Sequence, residues 1–439
     1  MDKAQLPDLP KGKEFEEFLA AFLQAHGLYV ERNIVDRQEV EVLELDIITT
    51  DYTKKCVPSN ELFEVKGGSW GFGDVFKLRG WLDYLNLDSG YLLVREDHKS
   101  LEFCRKISKS LGVDIISIPS IDATAERLEP FITAKEIDEI DIACWRFSYW
   151  VERALLRLLK IKKKSISGKK CYSALDWYFS LIKNRTFFTR NIIERAQLLY
   201  ESFREYPNIS AKLGYELEGE DFEREYEDVP SELYRKTYYE CKLTDLAIST
   251  FVEYRARLAV LKSAIDYTIY KEIGVKQGEQ FVIEFGDGIN ESTLLDLLPQ
   301  SFKEGLATIK SHPYYFRYPV FWQWFLWVFG GFILKDYEEQ EYTLLSEKTG
   351  IPKEEIPNAL ASYEILFPRA GSWFMDLSSS NVRIMKLFSV PYLGIGANYR
   401  RLMYADGGKW EGLELTGLHT HNDLIKWNNV TVDLLTKNI

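Results

Sequence analysis

An α/β unit built on a mixed sheet, continued by a mainly α-helical region and then by an α+β C-terminal region, is the architecture this sequence predicts. Three observations carry it. Up to about residue 120, amphipathic stretches of helical period alternate with short β-branched runs. From about 121 to 275, long helical-period stretches follow one another with few breakers. From about 276, the strand-like run Phe281–Phe285, the turn at Gly286-Asp287-Gly288 and a charge-free aromatic stretch restore mixed character. At 439 residues the chain exceeds one ordinary core, so the expected units are 1–120, 121–275 and 276–439.

Residues 11–26 form the first expected helix. Phe15, Phe18, Leu19, Phe22 and Leu23 make one apolar stripe, and Gly27 suits the C′ position. Glu14 and Glu17 are expected to point away from the stripe. Glu16, about 100° round from Phe15, lies at its edge, within reach of a neighbouring sheet. Leu28–Arg32 reads as a first strand. Leu43–Thr50 and Glu61–Lys66 read as two more, joined through polar residues 51–60, with Pro58 and Asn60 as turn formers. Gly73–Leu87 places Val75, Leu78, Leu82 and Leu85 on one helix face. Tyr91–Val94 is a short apolar run typical of a buried strand. Lys99–Leu111 is a further helix, and Val113–Ile118 a last strand before Pro119.

Ala143–Lys160, Ser173–Lys183, Arg190–Glu205 and Lys242–Glu272 read as helices, with Gly214–Pro230 as an exposed acidic connection. Tyr318–Leu334 carries no formal charge but is shorter than the roughly 20 residues of a membrane span, and contains Gln323, Gly330 and Gly331. It reads as a buried aromatic helix. Within residues 342–366, Ser346, Gly350 and Ile356 have the spacing of a helix-turn-helix: a small residue where two helices touch, glycine in the turn, and an apolar seat for the second helix. A winged-helix-like C-terminal fold is the corresponding expectation.

Composition narrows the function classes. A hydrophobic share of 46%, with 14% aromatic, is that of a folded protein. A net charge of −12 argues against a surface coated with cations for gripping nucleic acid. The charge is uneven, however. Residues 151–213 hold 14 Lys and Arg against 5 Asp and Glu, while residues 215–228 hold eight acids and one Arg. Nucleic acid therefore stays in play for one region, with Lys160, Lys162, Lys163, Lys164, Lys169 and Lys170 as candidate backbone contacts. The five cysteines are scattered, without metal-ligand spacing, and the chain opens on polar sequence. The expectation is a cytoplasmic protein with no membrane partner. His419 and His421 lack a third ligand and read as surface histidines. Neither a phosphate-binding glycine loop nor a G-x-S-x-G elbow occurs.

The chemistry concentrates in Leu43–Lys66. On the first strand Glu44, Asp46 and Ile48 share a face; on the second, Leu62, Glu64 and Lys66 do. Paired, the strands bring Asp46, Glu64 and Lys66 to one spot. In a sheet covered by helices, such charges cost several kcal/mol unless paired or bound to metal. The plainer alternative is an exposed edge with solvated charges. Against it stands a combination: an apolar-Asp-apolar strand, an apolar-Glu-x-Lys-Gly strand 18 residues on, and a G-x-x-x-E helix upstream.

Gly12-Lys13-Glu14-Phe15-Glu16, Leu45-Asp46-Ile47 and Phe63-Glu64-Val65-Lys66 resemble the PD-(D/E)xK nuclease superfamily, nearest in pattern to Mrr-type restriction endonucleases and archaeal Holliday junction resolvases. Val75, Leu78 and Gly80 on the next helix, and the Gly90–Val94 strand, sit where that family has them. The resemblance covers about residues 10–120 and implies a restriction-endonuclease-like fold. Leu45 replaces the proline that names the superfamily, and the Gln-x-x-x-Tyr element of its RecB-like branch is not seen after Lys66. Carried over, Asp46 and Glu64 would bind the metal, Lys66 would be the site lysine, and Glu16 the helix acid that completes or orients the metal shell.

In physical terms, Mg²⁺ (or Mn²⁺) takes hard oxygen ligands, and Asp46, Glu64 and the Val65 carbonyl offer three. The expected activity is metal-dependent endonucleolytic hydrolysis of a phosphodiester, with DNA as substrate and defence against foreign DNA such as phage as the role. RNA stays open as a substrate, and a homo-oligomer or a partner protein of a defence complex as an assembly. The alternatives are a repair or junction-resolving nuclease, and a non-catalytic nucleic-acid-binding or scaffold subunit.

Overall fold

The computed structural model describes residues 12–37, 41–53, 58–85, 87, 89–95, 100–133, 137–162, 192–210, 243–276, 291–366, 382–385 and 389–404. Its first part is a five-stranded sheet with helices, in the order α1 (Lys13–Ala25), β1 (Tyr29–Arg37), β2 (Glu41–Asp51), β3 (Ser59–Lys66), α2 (Phe72–Leu85), β4 (Gly90–Val94), α3 (Leu101–Ser110) and β5 (Val113–Ser117). The strands lie in chain order. The first three form an antiparallel meander, and β3, β4 and β5 run parallel. The mixed sheet is therefore as the sequence predicts. The parallel half requires crossovers, which α2 and α3 supply.

Strand β1 extends beyond the expected Leu28–Arg32 because it pairs with β2 along nearly its whole length. Gly27 adopts φ 89°, a left-handed conformation that lets the chain turn from α1 into β1. One expectation fails on α1. Glu17 does not point to solvent but is buried, its carboxylate 2.9 Å from Arg153 and 3.9 Å from Arg32. A one-sided apolar stripe predicts a solvated back only when nothing covers it. Here the long helix α5 (Glu139–Lys162) lies along α1, and its Arg153 meets Glu17.

Beyond β5 come α4 (Thr124–Arg127), α5, α6 (Ile192–Ser210) and α7 (Leu243–Lys276). Then follow α8 (Glu291–Asp296), α9 (Gln300–Ser311), α10 (Tyr318–Trp327), β6 (Phe332–Leu334), α11 (Glu338–Thr349), α12 (Ile356–Leu366), β7 (Val382–Met385) and α13 (Val390–Tyr404). Residues 254–270 of α7 are buried all round, and every residue of α10 is buried, Trp322, Trp324 and Trp327 included. Tyr318–Trp327 is thus a core helix. Among the described residues no helix is long and apolar enough to cross a membrane.

The helical part is keyed to the sheet by buried polar contacts. Gln323 of α10 accepts the Val30 N–H (3.1 Å) and donates to the Val30 carbonyl (2.8 Å), standing in for a neighbouring strand on the open edge of β1. Tyr52, just past β2, donates to Asp266 of α7. That carboxylate also meets Lys262 at 2.7 Å and Arg195 of α6 at 3.0 Å.

Helix α11 ends at Gly350, whose φ is 66° and whose amide donates to the Ser346 carbonyl (2.8 Å), and α12 begins at Ile356. Cys104 and Cys144 are buried free thiols. The expected helix Ser173–Lys183, acidic connection Gly214–Pro230, strand Phe281–Phe285 and histidines His419 and His421 lie outside the described residues.

Candidate active site

The site forms where the β2–β3 ladder stops. Pairing runs from Asp51 with Ser59 to Ile47 with Phe63. The next step of that register would set Asp46 against Glu64. Instead of continuing the backbone ladder, the Asp46 carboxylate accepts the Val65 N–H at 2.7 Å. On the opposite face of β3, Phe63 stacks on Tyr91 at 5.1 Å and meets Phe131 edge-on at 5.2 Å, which fixes the strand's orientation.

Glu64 is 1% exposed. Its Oε1 accepts from Lys66 Nζ at 2.5 Å and from Lys77 Nζ of α2 at 3.4 Å. Its Oε2 is buried and has no hydrogen-bond partner among the described residues. Lys66 also lies 3.6 Å from Asp74 in the first turn of α2. Asp74 in turn accepts the Gly71 amide at 2.9 Å, so the turn after β3 and the lysine are held by one carboxylate.

The electrostatics of the acids are strained. Burial pushes the Asp46 carboxyl up to about 8, and the Glu64 and Glu16 charges add to this against the opposing Val65 N–H and Lys66. Glu16 is also raised, first by burial and with Glu17 and Glu64 contributing, while Arg32 and Lys13 oppose. Burial alone would lower Lys66, but its hydrogen bond and ion pair with Glu64, followed by Asp46 and Asp74, hold it above the usual lysine value. Lys66 is therefore an ammonium at neutral pH and acts as a donor and a charge, not as a base.

Glu16 comes close enough to act on the acids through its charge because α1 is pinned to the exit of β3. A Cβ on Gly67 would lie 2.8 Å from the Gly12 nitrogen. The glycine after the Glu-x-Lys triplet thus lets the N-terminus of α1 approach, and Gly12 itself has φ 54°.

The structure accordingly brings Asp46, Glu64, Val65 and Lys66 together, with Glu16 as an electrostatic neighbour. Among the described residues no group of three or more His, Cys, Asp and Glu side chains is arranged to hold a metal ion. The acids amount to a pair, to which Glu16 does not add a third close member. Lys160 and Lys162 lie in the last turn of α5, while Lys163, Lys164, Lys169 and Lys170 lie outside the described residues.

Asp74 and Lys77 escaped the sequence reading. Their signal was their place in the first turns of the helix that follows Glu-x-Lys-Gly, which the strand beside it makes part of the site. Next to them a groove of about 480 Å³ runs between Trp70 and Phe72 on one side and Phe103 and Ile107 of α3 on the other. Comparison with family models, with curated proteins and with solved structures gives no match for this chain.

Proposed function

We propose that this chain is a metal-dependent endonuclease that hydrolyses phosphodiester bonds in DNA, acting in defence against foreign DNA. The observation that carries the reading is the Glu64 carboxylate: buried, with one oxygen on two lysines and the other without a hydrogen-bond partner among the described residues, beside an Asp46 that burial and its neighbours disfavour as an anion. Buried acids left in this condition are destabilising, and a divalent cation relieves both at once.

The donor set fits Mg²⁺ or Mn²⁺. Two carboxylates with water completing the shell is the way Mg²⁺ is commonly held, so the lack of a third acid is no obstacle. Asp46 and Glu64 would hold the ion, with the Val65 carbonyl as the third protein oxygen. The chemistry such an ion would supply, held by Asp46 and Glu64, is a lowered pKa for water and neutralisation of charge on the scissile phosphate.

The remaining roles belong to the chain. Lys66, kept cationic, donates to the attacking water or to a phosphate oxygen as charge develops there. Asp74 orients Lys66. Lys77, half exposed, supplies a second cation at the mouth of the site. Glu16 tunes the charge of the acid pair and orients the water shell. Burial of Glu64 and the apolar neighbours Ile48 and Leu62 on the same face of the sheet excludes bulk water.

We read the order α10–β6–α11–α12–β7 as winged-helix-like in outline. Helix α12 carries no Lys or Arg, and Ile356, Leu360 and Tyr363 are buried, so we assign it to packing and not to base reading. Grip on the substrate backbone falls to the basic stretch beginning at Lys160.

The test is cleavage of plasmid and oligonucleotide DNA with Mg²⁺ or Mn²⁺, comparing the wild type with Asp46→Asn, Glu64→Gln and Lys66→Met. The expected outcome is metal-dependent cutting that falls at least about a hundredfold in each variant. Equal activity in all four proteins would sink the site, and no activity on DNA or RNA would favour a scaffold role.

A further inference from the structure

We propose that the groove between the start of α2 and helix α3 is a stacking site for one unpaired base of a nucleic-acid strand lying across the acid pair. The proposal rests on the nuclease reading and adds a substrate class to it: strands with unpaired bases, in preference to intact duplex.

Placement is the first argument. Helices α2 and α3 both start beyond the carboxyl ends of the parallel strands β3 and β4, and in open α/β sheets ligands bind in the crevice there. The groove of about 480 Å³ lies in that position, with Trp70, Gly71 and Phe72 on one wall and Ser100, Phe103 and Ile107 on the other. Its size is that of a small-ligand cleft. It is continuous with the acid site, because the Gly71 amide donates to Asp74 at 2.9 Å and Asp74 lies 3.6 Å from Lys66.

The chemistry of the walls identifies the occupant. No side chain lining the groove carries a formal charge, and both walls present aromatic rings. Trp70 and Phe72 are half-buried against the core, which holds their rings in place, while Phe103 is 64% exposed. Phe76, 61% exposed, meets Phe72 edge-on at 5.4 Å. Of the four large apolar side chains exposed among the described residues, two therefore stand at this one groove. Single exposed rings are ordinary, but a cluster of them beside a polar site marks a face that is used.

Cations flank these uncharged walls. Lys66 and Lys77 lie on the side of the acids, and Lys106, one turn on from Phe103, is exposed. Helix α3 carries Arg105, Lys106 and Lys109 against the single acid Glu102, which Arg105 meets at 2.7 Å. Aromatic rings bordered by cations match a nucleotide, whose flat neutral base stacks while its phosphate meets the positive charge. An apolar protein segment would match the rings but not the flanking cations. Bases inside a duplex are already stacked and paired, so a base reaches the groove most readily from a single-stranded or mispaired stretch.

The experiment is equilibrium binding of the full chain, with chelator present so that nothing is cut. Three probes are compared: a single DNA strand carrying a fluorescent adenine analogue, its duplex, and the same strand made abasic. The wild type is expected to bind the single strand more tightly than the other two and to quench the analogue by stacking. Phe103→Ala should weaken binding of the single strand about tenfold and leave the abasic strand unaffected, while Phe103→Trp should retain both affinity and quenching. Leu297→Ala, similarly exposed on the turn between α8 and α9, should change nothing. An abasic strand bound as tightly as the normal one, an indifferent Phe103→Ala, or no binding of the single strand would each overturn the proposal. So would a dimer seen by sedimentation that Phe103→Ala dissociates without altering strand affinity, since the groove would then belong to a second copy. The abasic comparison uses wild-type protein alone and decides even if a variant misfolds. Cleavage with Mg²⁺ keeps the two readings apart. Cutting that is indifferent to Phe103→Ala would overturn the groove and leave the nuclease. Base-dependent binding with no cutting under any metal would support the groove and overturn the nuclease.

Discussion

The Asp46 carboxylate, one residue beyond the last pair Ile47–Phe63, accepts the N–H of Val65, two residues beyond it, at 2.7 Å. A side chain thus occupies the place of a ladder hydrogen bond, and the strands are free to part around the two acids. The same bond holds Asp46 in a buried position where its charge is disfavoured, with its carboxyl pushed up to about 8.

That relationship dictates a pH dependence. Asp46 is protonated in the folded protein up to about pH 8, but in the unfolded chain it ionises near 4. Between these values the folded state binds more protons, so stability falls as pH rises through the window and is lowest above it. We expect the metal-free wild type to melt at a lower temperature at pH 8.5 than at pH 5.5. Asp46→Asn, which keeps an acceptor for Val65, should flatten that slope and raise the melting temperature at pH 8.5. Millimolar Mg²⁺ should stabilise the wild type and leave Asp46→Asn nearly unchanged. Calorimetry with and without chelator reads all three effects, and a slope identical in both proteins would refute the assignment.

Gly67 gives a second expectation. Its missing Cβ is what allows the Gly12 backbone to approach, and backbone cannot swing aside as a flexible side chain can. Gly67→Ala should therefore displace the start of α1 and with it Glu16. The stability loss expected is about 1–3 kcal/mol, typical of a forced overpacking. Cleavage should fall further than the stability loss explains, with the turnover rate and not the substrate affinity affected. A variant of full activity would show that Glu16 is a bystander.

The fate of α1 also marks how far the sequence could be read. The hydrophobic periods of α1, α2 and α3, the alternation in β2 and β3, and the left-handed glycines Gly27 and Gly350 are local signals, and the elements follow them. Asp46, Glu64 and Lys66 were legible because strand pairing and two-residue alternation are enough to gather them. Glu17 was not, since its burial depends on Arg153, more than a hundred residues away. Lys77 reaches Glu64 only because the crossover packs α2 against the sheet at β4, a matter of tertiary path. Gln323 is separated from Val30 by 293 residues, and nothing in the local pattern of either announces the partner.

Gln323 supplies the third expectation. It satisfies both backbone groups of Val30 on the edge of the sheet and also accepts from Gln24 at 2.6 Å. Gln323→Leu keeps the bulk but leaves a buried N–H and C=O unpaired, which costs about 1–3 kcal/mol for each group stranded. Urea unfolding should show a lowered midpoint. Hydrogen exchange should show the Val30 amide losing protection more than those of β3 and β4, and uniform protection would place the edge elsewhere.

The last expectation concerns Asp266, where the sheet meets the helical part. Its carboxylate takes the Tyr52 hydroxyl, Lys262 and Arg195 within one buried cluster, so two cations converge on it in the core. Burial already lowers Lys262, although Asp266 opposes this. Removing the anion would leave Lys262 and Arg195 facing each other without it, and breaking such a pair from one side costs about 3–5 kcal/mol. Asp266→Asn should therefore be among the most destabilising single substitutions in the chain. Adding Lys262→Met should recover part of the loss, because it removes one of the two like charges, Lys262 and Arg195, that already repel each other there. A double variant no more stable than Asp266→Asn would mean that the cluster holds together through Tyr52 and not through charge.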